Sequence, residues 1–244
     1  MSFWNSAIGA MIGFTLGGPI GALLGGVIGS RFGSKGKRSS FSSNQQHQVA
    51  FFTALFACLA KLAKADGRVS KEEVQAVDRF IKERFKFDAD QRKFAIEIFN
   101  HAKEDHNTYE DYAYQLSSLL KNNKNALLVF YELLFELAMA DGVLHEKEEE
   151  LLRSTVGIFN IDPNIFENLK SQSFDSNLSP YSVLGVSEDM DFEEIKKIYR
   201  RKRKEFHPDA LTSKGLPEEL IERAKEKFIE IQEAYEVIEK KMNQ

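Results

Sequence analysis

Apolar and polar positions fall along this chain in blocks, each with its own period. From Ala7 to Gly29 every position is apolar or small, and Met1 to Ser30 contains no charged side chain. Val49 to Ala65 is apolar on nearly every face, but it is too short for a second span and carries Lys61 and Lys64 near its end. That pattern predicts a central buried helix. Ala126 to Ala140 repeats it with Leu127, Leu128, Phe130, Leu133, Leu134, Leu137 and Met139. One-sided helical stripes follow both blocks: Val74, Val77, Phe80 and Ile81 in one case, Leu151, Leu152, Val156 and Ile158 in the other. Gln91 to Ala102 and Tyr109 to Lys121 read as two more helices, so the expected fold class is all-α. Near the C-terminus a stripe of Ile195, Ile198, Tyr199 and Phe206 is followed by Leu220, Ala224, Phe228, Ile231, Tyr235 and Ile238. These predict two helices packed as an antiparallel hairpin.

The first block is long enough to cross a hydrocarbon core about 30 Å thick as a transmembrane helix. Its glycines recur at Gly9, Gly13, Gly17, Gly21, Gly25 and Gly29, a four-residue period that leaves one helix face without side chains. Helices approach closely through such a face in lipid, and the further expectation is a homodimer through it. Pro19 marks a kink. A cleaved signal peptide would carry basic residues before the apolar region, whereas here Arg31, Lys35, Lys37 and Arg38 follow it. A helix lying on the membrane surface would need a charged face, and none is present. The trailing cations place the N-terminus outside and the rest of the chain in the cytoplasm. The expected divisions are an anchor at 1–30, a basic and polar linker at 31–47, a helical domain at 48–170, a connector at 171–178 and a last domain at 179–244.

The helical domain contains an internal duplication. Ala63-Lys-Ala-Asp66-Gly67-Arg-Val-Ser70-Lys-Glu72-Glu73 matches Ala138-Met-Ala-Asp141-Gly142-Val-Leu-His145-Glu-Lys-Glu148-Glu149. Two readings of these turns stay open. In the first, each glycine closes a helix in the left-handed conformation, and Ser70 with Glu73 forms a capping box that starts the next. In the second, Asp66, Glu73, Asp141 and Glu148, with their acidic neighbours, bind a hard cation. The spacing departs from an EF-hand loop, and no metal or other cofactor is expected. His101 and His106 are five apart, not the four that would place two zinc ligands on one helical face. The arrangement resembles the TerB-like (tellurite-resistance-associated) domain over about residues 48 to 170.

Composition removes several classes. The single cysteine, Cys58 in an apolar run, excludes a disulfide framework and a multi-cysteine zinc site. No glycine-rich phosphate loop and no nucleophile motif occurs, so no catalysis is expected. Net charge is −4, and both the 39–175 and 176–244 segments are acidic overall. That balance argues against nucleic acid as a partner.

Against this background the basic helix ahead of His207 stands out. Lys196, Lys197, Arg200, Arg201, Lys202, Arg203 and Lys204 place seven cations in nine residues. A proline pushes the residue before it out of helical geometry, so the helix should stop at His207-Pro208-Asp209 and present that tripeptide on a loop. Upstream lies Tyr181-Ser-Val-Leu184-Gly185-Val186, with Ser179-Pro180 as cap and first helical position. Downstream lies Gln232-Glu-Ala234-Tyr235-Glu-Val-Ile238. In this order the three pieces resemble the J-domain of the DnaJ co-chaperone family over residues 179–244.

The resemblance implies a DnaK-type ATPase as partner. In that family the basic helix docks on an acidic surface of the ATPase, which here would involve Lys196, Lys197, Arg200, Arg201, Arg203 and Lys204. His207, Pro208 and Asp209 would trigger ATP hydrolysis, with Asp209 pairing a partner arginine. Ile198 and Lys202 depart from the family, which usually has alanine and leucine there; the lysine stem can lie on the core with its charge outside. Glycine/phenylalanine-rich and zinc-repeat client-holding segments are absent. The expected protein is therefore a membrane-anchored co-chaperone and not an enzyme. The alternative is a metal- or stress-sensing TerB-like protein in which chaperone recruitment is secondary.

Overall fold

In the computed structural model, the structure describes residues 17–32, 43–65, 67, 71–85, 87–120, 123–139, 142–174, 179–207 and 218–242. Among these, all regular structure is helical. The chain divides into two compact units, residues 1–160 and 161–244.

The first unit is built around α2 (Ser43–Ala63), which follows α1 (Gly18–Phe32). Every residue of α2 from Val49 to Ala60 is buried, including Cys58. Around it pack α1, α4 (Ala89–Glu104), α5 (Tyr109–Leu120), α6 (Lys124–Ala138) and α7 (Glu146–Phe159), while α3 (Lys71–Arg84) lies against α4 and α6. An apolar surface on all sides makes a helix central, because only a ring of neighbours removes it all from water. Phenylalanines fill the layer. Phe51 meets Phe130 edge-on at 5.1 Å, Phe130 meets Phe159 at 5.7 Å, and Phe52 contacts Phe56, Phe85 and Phe87. Edge-on aromatic pairs at such separations add to simple area burial. At the rim, Lys61 pairs with Asp105 at 2.7 Å and donates to its backbone oxygen at 3.0 Å. Tyr112 donates to the other Asp105 oxygen. The charge of Lys61 is thus matched although its side chain is only 11% exposed.

At the N-terminus a helix starts at Gly18, which has φ +75° and precedes Pro19. Proline lacks an N–H and its ring collides with the carbonyl four residues earlier, so the Gly-Pro pair suits a helix start better than a helix interior. Among the described residues no helix is long and apolar enough to cross a membrane. Residues 1–16 and 33–42 lie outside the described residues. α1 buries Ile20, Leu23, Leu24 and Val27 against α2, α4 and α5.

The second unit holds α8 (Ile165–Phe174), α9 (Pro180–Leu184), α10 (Phe192–Glu205) and α11 (Glu218–Met242). The connector expected at 171–178 begins inside α8. Within the helix the Ser171 and Ser173 hydroxyls are satisfied by the carbonyls of Asn168 and Leu169, and Gln172 Nε2 ties its end to Ser182 O at 2.8 Å. Residues 175–178 lie outside the described set. α9 begins where Ser179 and Pro180 predict, with Ser182 N donating to Ser179 Oγ at 3.2 Å. Gly185, at φ +62°, ends it. Asp191 caps α10 by accepting from Glu193 N. Phe192 and Tyr199 meet Tyr235, while His207 meets Phe228, so α10 and α11 run antiparallel. Between them lies a thin core of Tyr181, Leu184, Ile195, Phe206, Ala224, Ile231, Ala234 and Ile238.

Candidate functional site

Helix α10 carries seven basic residues and three acidic ones. Its inward face is Ile195, Tyr199, Lys202 and Phe206, at the helical spacing that brings them into line. Ile195 is wholly buried, Phe206 nearly so, and Tyr199 stacks flat on Tyr235 with ring centroids 3.9 Å apart. The remaining cations point outward: Lys197, Arg200, Arg201, Arg203 and Lys204 are exposed, and Lys196 is half-buried. Lys196 sits over the Phe192 ring and 3.6 Å from Glu193. Arg201 lies 4.0 Å from both Glu205 and Asp162. These are solvated pairs that constrain little. The cationic face predicted from sequence is therefore one continuous surface.

Burial raises the Glu205 carboxyl above its ordinary pKa, against the opposing pull of Arg201 and Lys202. Tyr235 is pushed up to about 12, first by burial and then by its hydrogen bond to Glu239.

At the end of α10, Phe206 N donates to Lys202 O and the helix stops, leaving His207 half-buried. The His207 imidazole meets the Phe228 ring edge-on at 5.5 Å, and the Arg203 guanidinium lies over the same ring at 5.7 Å. Phe228 thus holds both the last cation of one face and the first residue of the tripeptide. Sequence reasoning placed it only in the apolar stripe of the last helix. Nothing local to Phe228 marks it, because its pairing with His207 depends on the register of α10 against α11. Pro208 and Asp209 lie outside the described residues.

Lys202 resolves the oddity noted in the sequence. Its Nζ reaches the carbonyl of Val183 at 3.5 Å, at the C-terminal end of α9, where a cation is favoured.

The other candidate residues divide. Gly67 and Gly142 both have positive φ, at +101° and +83°, and donate to Lys64 O and Met139 O. This is the helix-closing geometry of the first reading. Glu148 accepts from His145 N at 3.0 Å, which starts α7, and Glu149 pairs with Arg153 at 2.7 Å. Asp66 and Asp141 lie outside the described residues, as does the side chain of Glu73. Among the described residues no cluster of three ligand-type side chains could hold a metal. Gly17, just before α1, and Gly25, within it, are exposed, and a Cβ added at either would meet nothing within 4 Å, while Gly21 is half-buried. Gly9 and Gly13 lie outside the described residues.

Comparison with known sequence families accounts for nearly the whole chain. The DnaJ domain matches residues 179–244, the family described as tellurite resistance protein TerB matches 52–171, and the co-chaperone DjlA transmembrane domain matches 1–40. A J-domain behind a TerB domain and a membrane-associating segment defines the class: a J-domain co-chaperone. Curated relatives narrow it. Co-chaperone protein DjlA of Photobacterium profundum is 32% identical over 97% of this chain and 98% of its own. DjlA of Photorhabdus laumondii is 28% identical over 98% and 91%, and DjlA of Vibrio parahaemolyticus is 32% identical over 81% and 80%. The chain belongs to the DjlA co-chaperone family. No solved structure matches it.

Proposed function

We propose that this chain recruits a DnaK-type chaperone to the cytoplasmic face of the inner membrane and stimulates its ATPase through His207, Pro208 and Asp209. The observation that carries this reading is the α10–α11 hairpin, which presents an unbroken cationic face and fixes His207 at its tip against Phe228. The face supplies long-range attraction to an acidic partner and orients the encounter. The tip then delivers the tripeptide to one place on that partner. Lys197, Arg200, Arg201 and Lys204 make the docking surface, with Lys196 and Arg203 at its edges. ATP chemistry belongs to the partner, and this chain supplies the contact that triggers it.

The N-terminal segment localises that activity. Arg31, Lys35, Lys37 and Arg38 follow the apolar region, which favours the orientation with both folded units in the cytoplasm. The family to which residues 1–40 belong implies membrane association.

A single-turnover ATPase assay with the DnaK-type chaperone of the same cell tests the central reading. His207→Gln is expected to reduce stimulation at least about tenfold, since about 1.4 kcal/mol of lost interaction already has that effect. Stimulation equal to that of the parent chain would refute the role of the tripeptide. Raising salt from low to physiological levels should weaken stimulation by the parent chain, because the exposed cations are screened.

A further inference from the structure

Helix α1 belongs to the segment assigned to the membrane, yet it is seated in a folded domain. Ile20, Leu23, Leu24 and Val27 recur on one face and are 0–5% exposed. They lie on α2, α4 and α5. The seat also accommodates the backbone at the start of the helix. The Gln115 side chain accepts from Ile20 N at 2.7 Å and donates to Gly17 O. The amide thus satisfies the Ile20 N–H, a donor that the helix cannot pair internally, and gives the Gly17 carbonyl a side-chain donor as well. Gly25 is exposed.

The same four side chains cannot occupy a hydrocarbon layer and a protein core together. For the aliphatic face the two environments are nearly equivalent, since both remove it from water. The polar backbone around Pro19 separates them. In lipid, a donor or acceptor without a partner is expensive, whereas Gln115 supplies partners in the seat. A fifteen-residue helix is about 22 Å long at 1.5 Å per residue, short of a full span, so residues before Gly18 must join it to cross.

We infer that the TerB unit carries a docking seat for an apolar helix. Its occupant is residues 18–27 of this same chain whenever that segment is out of the bilayer, and membrane insertion empties it. Segment and seat form an exchange: one position shields the aliphatic face with protein, the other with lipid. Insertion leaves Gln115 without its backbone partners and opens apolar surface on α2, α4 and α5 to water. The inference rests on the membrane association of the N-terminal segment and does not depend on the chaperone reading.

The test uses the full chain with Gly25→Cys labelled by a small fluorophore. Gly25 lies on the outward face, where an added Cβ meets nothing within 4 Å, and Cys58 is fully buried and escapes labelling. Vesicles of phosphatidylethanolamine and phosphatidylglycerol with a lipid-borne quencher are titrated in, while hydrogen exchange is followed in α4 and α5. The expected result is that quenching and faster exchange in these helices rise together. Gln115→Ala should lower the lipid concentration for half-maximal quenching about fivefold, the equivalent of about 1 kcal/mol for the lost hydrogen bonding. Quenching with exchange in α4 and α5 unchanged would overturn the seat. A label that stays in water at every lipid concentration would overturn the exchange and remove the membrane reading on which it rests. Neither readout involves ATP or the chaperone partner, so the J-domain function stands or falls separately.

Discussion

Helices α2 and α10 show how differently the two units use a helix. Twelve consecutive residues of α2 are buried, from Val49 to Ala60. In α10 only Ile195 within the helix is buried, and Phe206 closes its end. The first helix is a core element whose side chains are chosen by volume and ring packing. The second is a surface element whose side chains are chosen by charge, with just enough apolar contact to hold it in place. Stability should therefore respond most to change in the first unit, and partner recognition in the second.

The largest effect expected from breaking that contrast is in the phenylalanine layer. Phe52 is 1% exposed and touches the rings of Phe51, Phe56, Phe85 and Phe87. Phe52→Ala should cost about 3–5 kcal/mol, the range for emptying a large aromatic site that can only partly collapse. Chemical denaturation followed by circular dichroism would read it as an earlier first transition. Loss of less than about 1 kcal/mol would mean that the layer repacks freely, unlike a native core.

Ile195→Ala sharpens the comparison from the other side. Ile195 is also fully buried, but its layer is thin, shared among only α9, α10 and α11. The expected cost is about 2 kcal/mol, at the low end of the range for such a truncation. Stimulation of the partner ATPase should fall with it at temperatures where the second unit begins to melt, and be near normal well below. The equivalent loss in the first unit, from Phe52→Ala, should leave that stimulation unchanged at low temperature.

The contrast also explains how much could be read from the sequence. Blocks with strong periodicity fixed the helices of both units, and Ser179, Pro180, Gly185 and Asp191 took the cap positions their chemistry predicts. The cationic face needed only the helical period. What escaped depended on contacts between elements distant in sequence. Nothing local to Gln115 says that it will cap a helix beginning at Gly18, 95 residues or more away. The seating of Ile20, Leu23, Leu24 and Val27 on α2, α4 and α5 was equally hidden, because lipid and protein core select the same residues. The polar tail of α8 reads as a connector because the contact that ties it down, Gln172 to Ser182 O, joins it to another helix. Phe228 was visible as an apolar residue, but its support of His207 required knowing where the two helices end.

Lys202 gives the smallest effect and the closest test of how a charged residue serves a thin core. α9 is a single short turn, and its carbonyls must find donors within a few residues. Gly185 N donates to Ser182 O and Val186 N to Tyr181 O, each at 2.9 Å, while Gln172 also reaches Ser182 O. Val183 O receives the Lys202 ammonium at 3.5 Å, a long contact whose value is mainly electrostatic. The stem meanwhile covers the apolar surface beneath it. Lys202→Ala removes both contributions and should cost about 1 kcal/mol, while Lys202→Leu keeps the apolar cover and should cost about half of that. If the charge matters, the difference between the two variants shrinks at high salt, because α9's end is partly open to solvent. Equal stability of the leucine and lysine forms at low salt would mean that the stem alone supports the hairpin. The ammonium would then be incidental, and the site would behave like the apolar position it replaces.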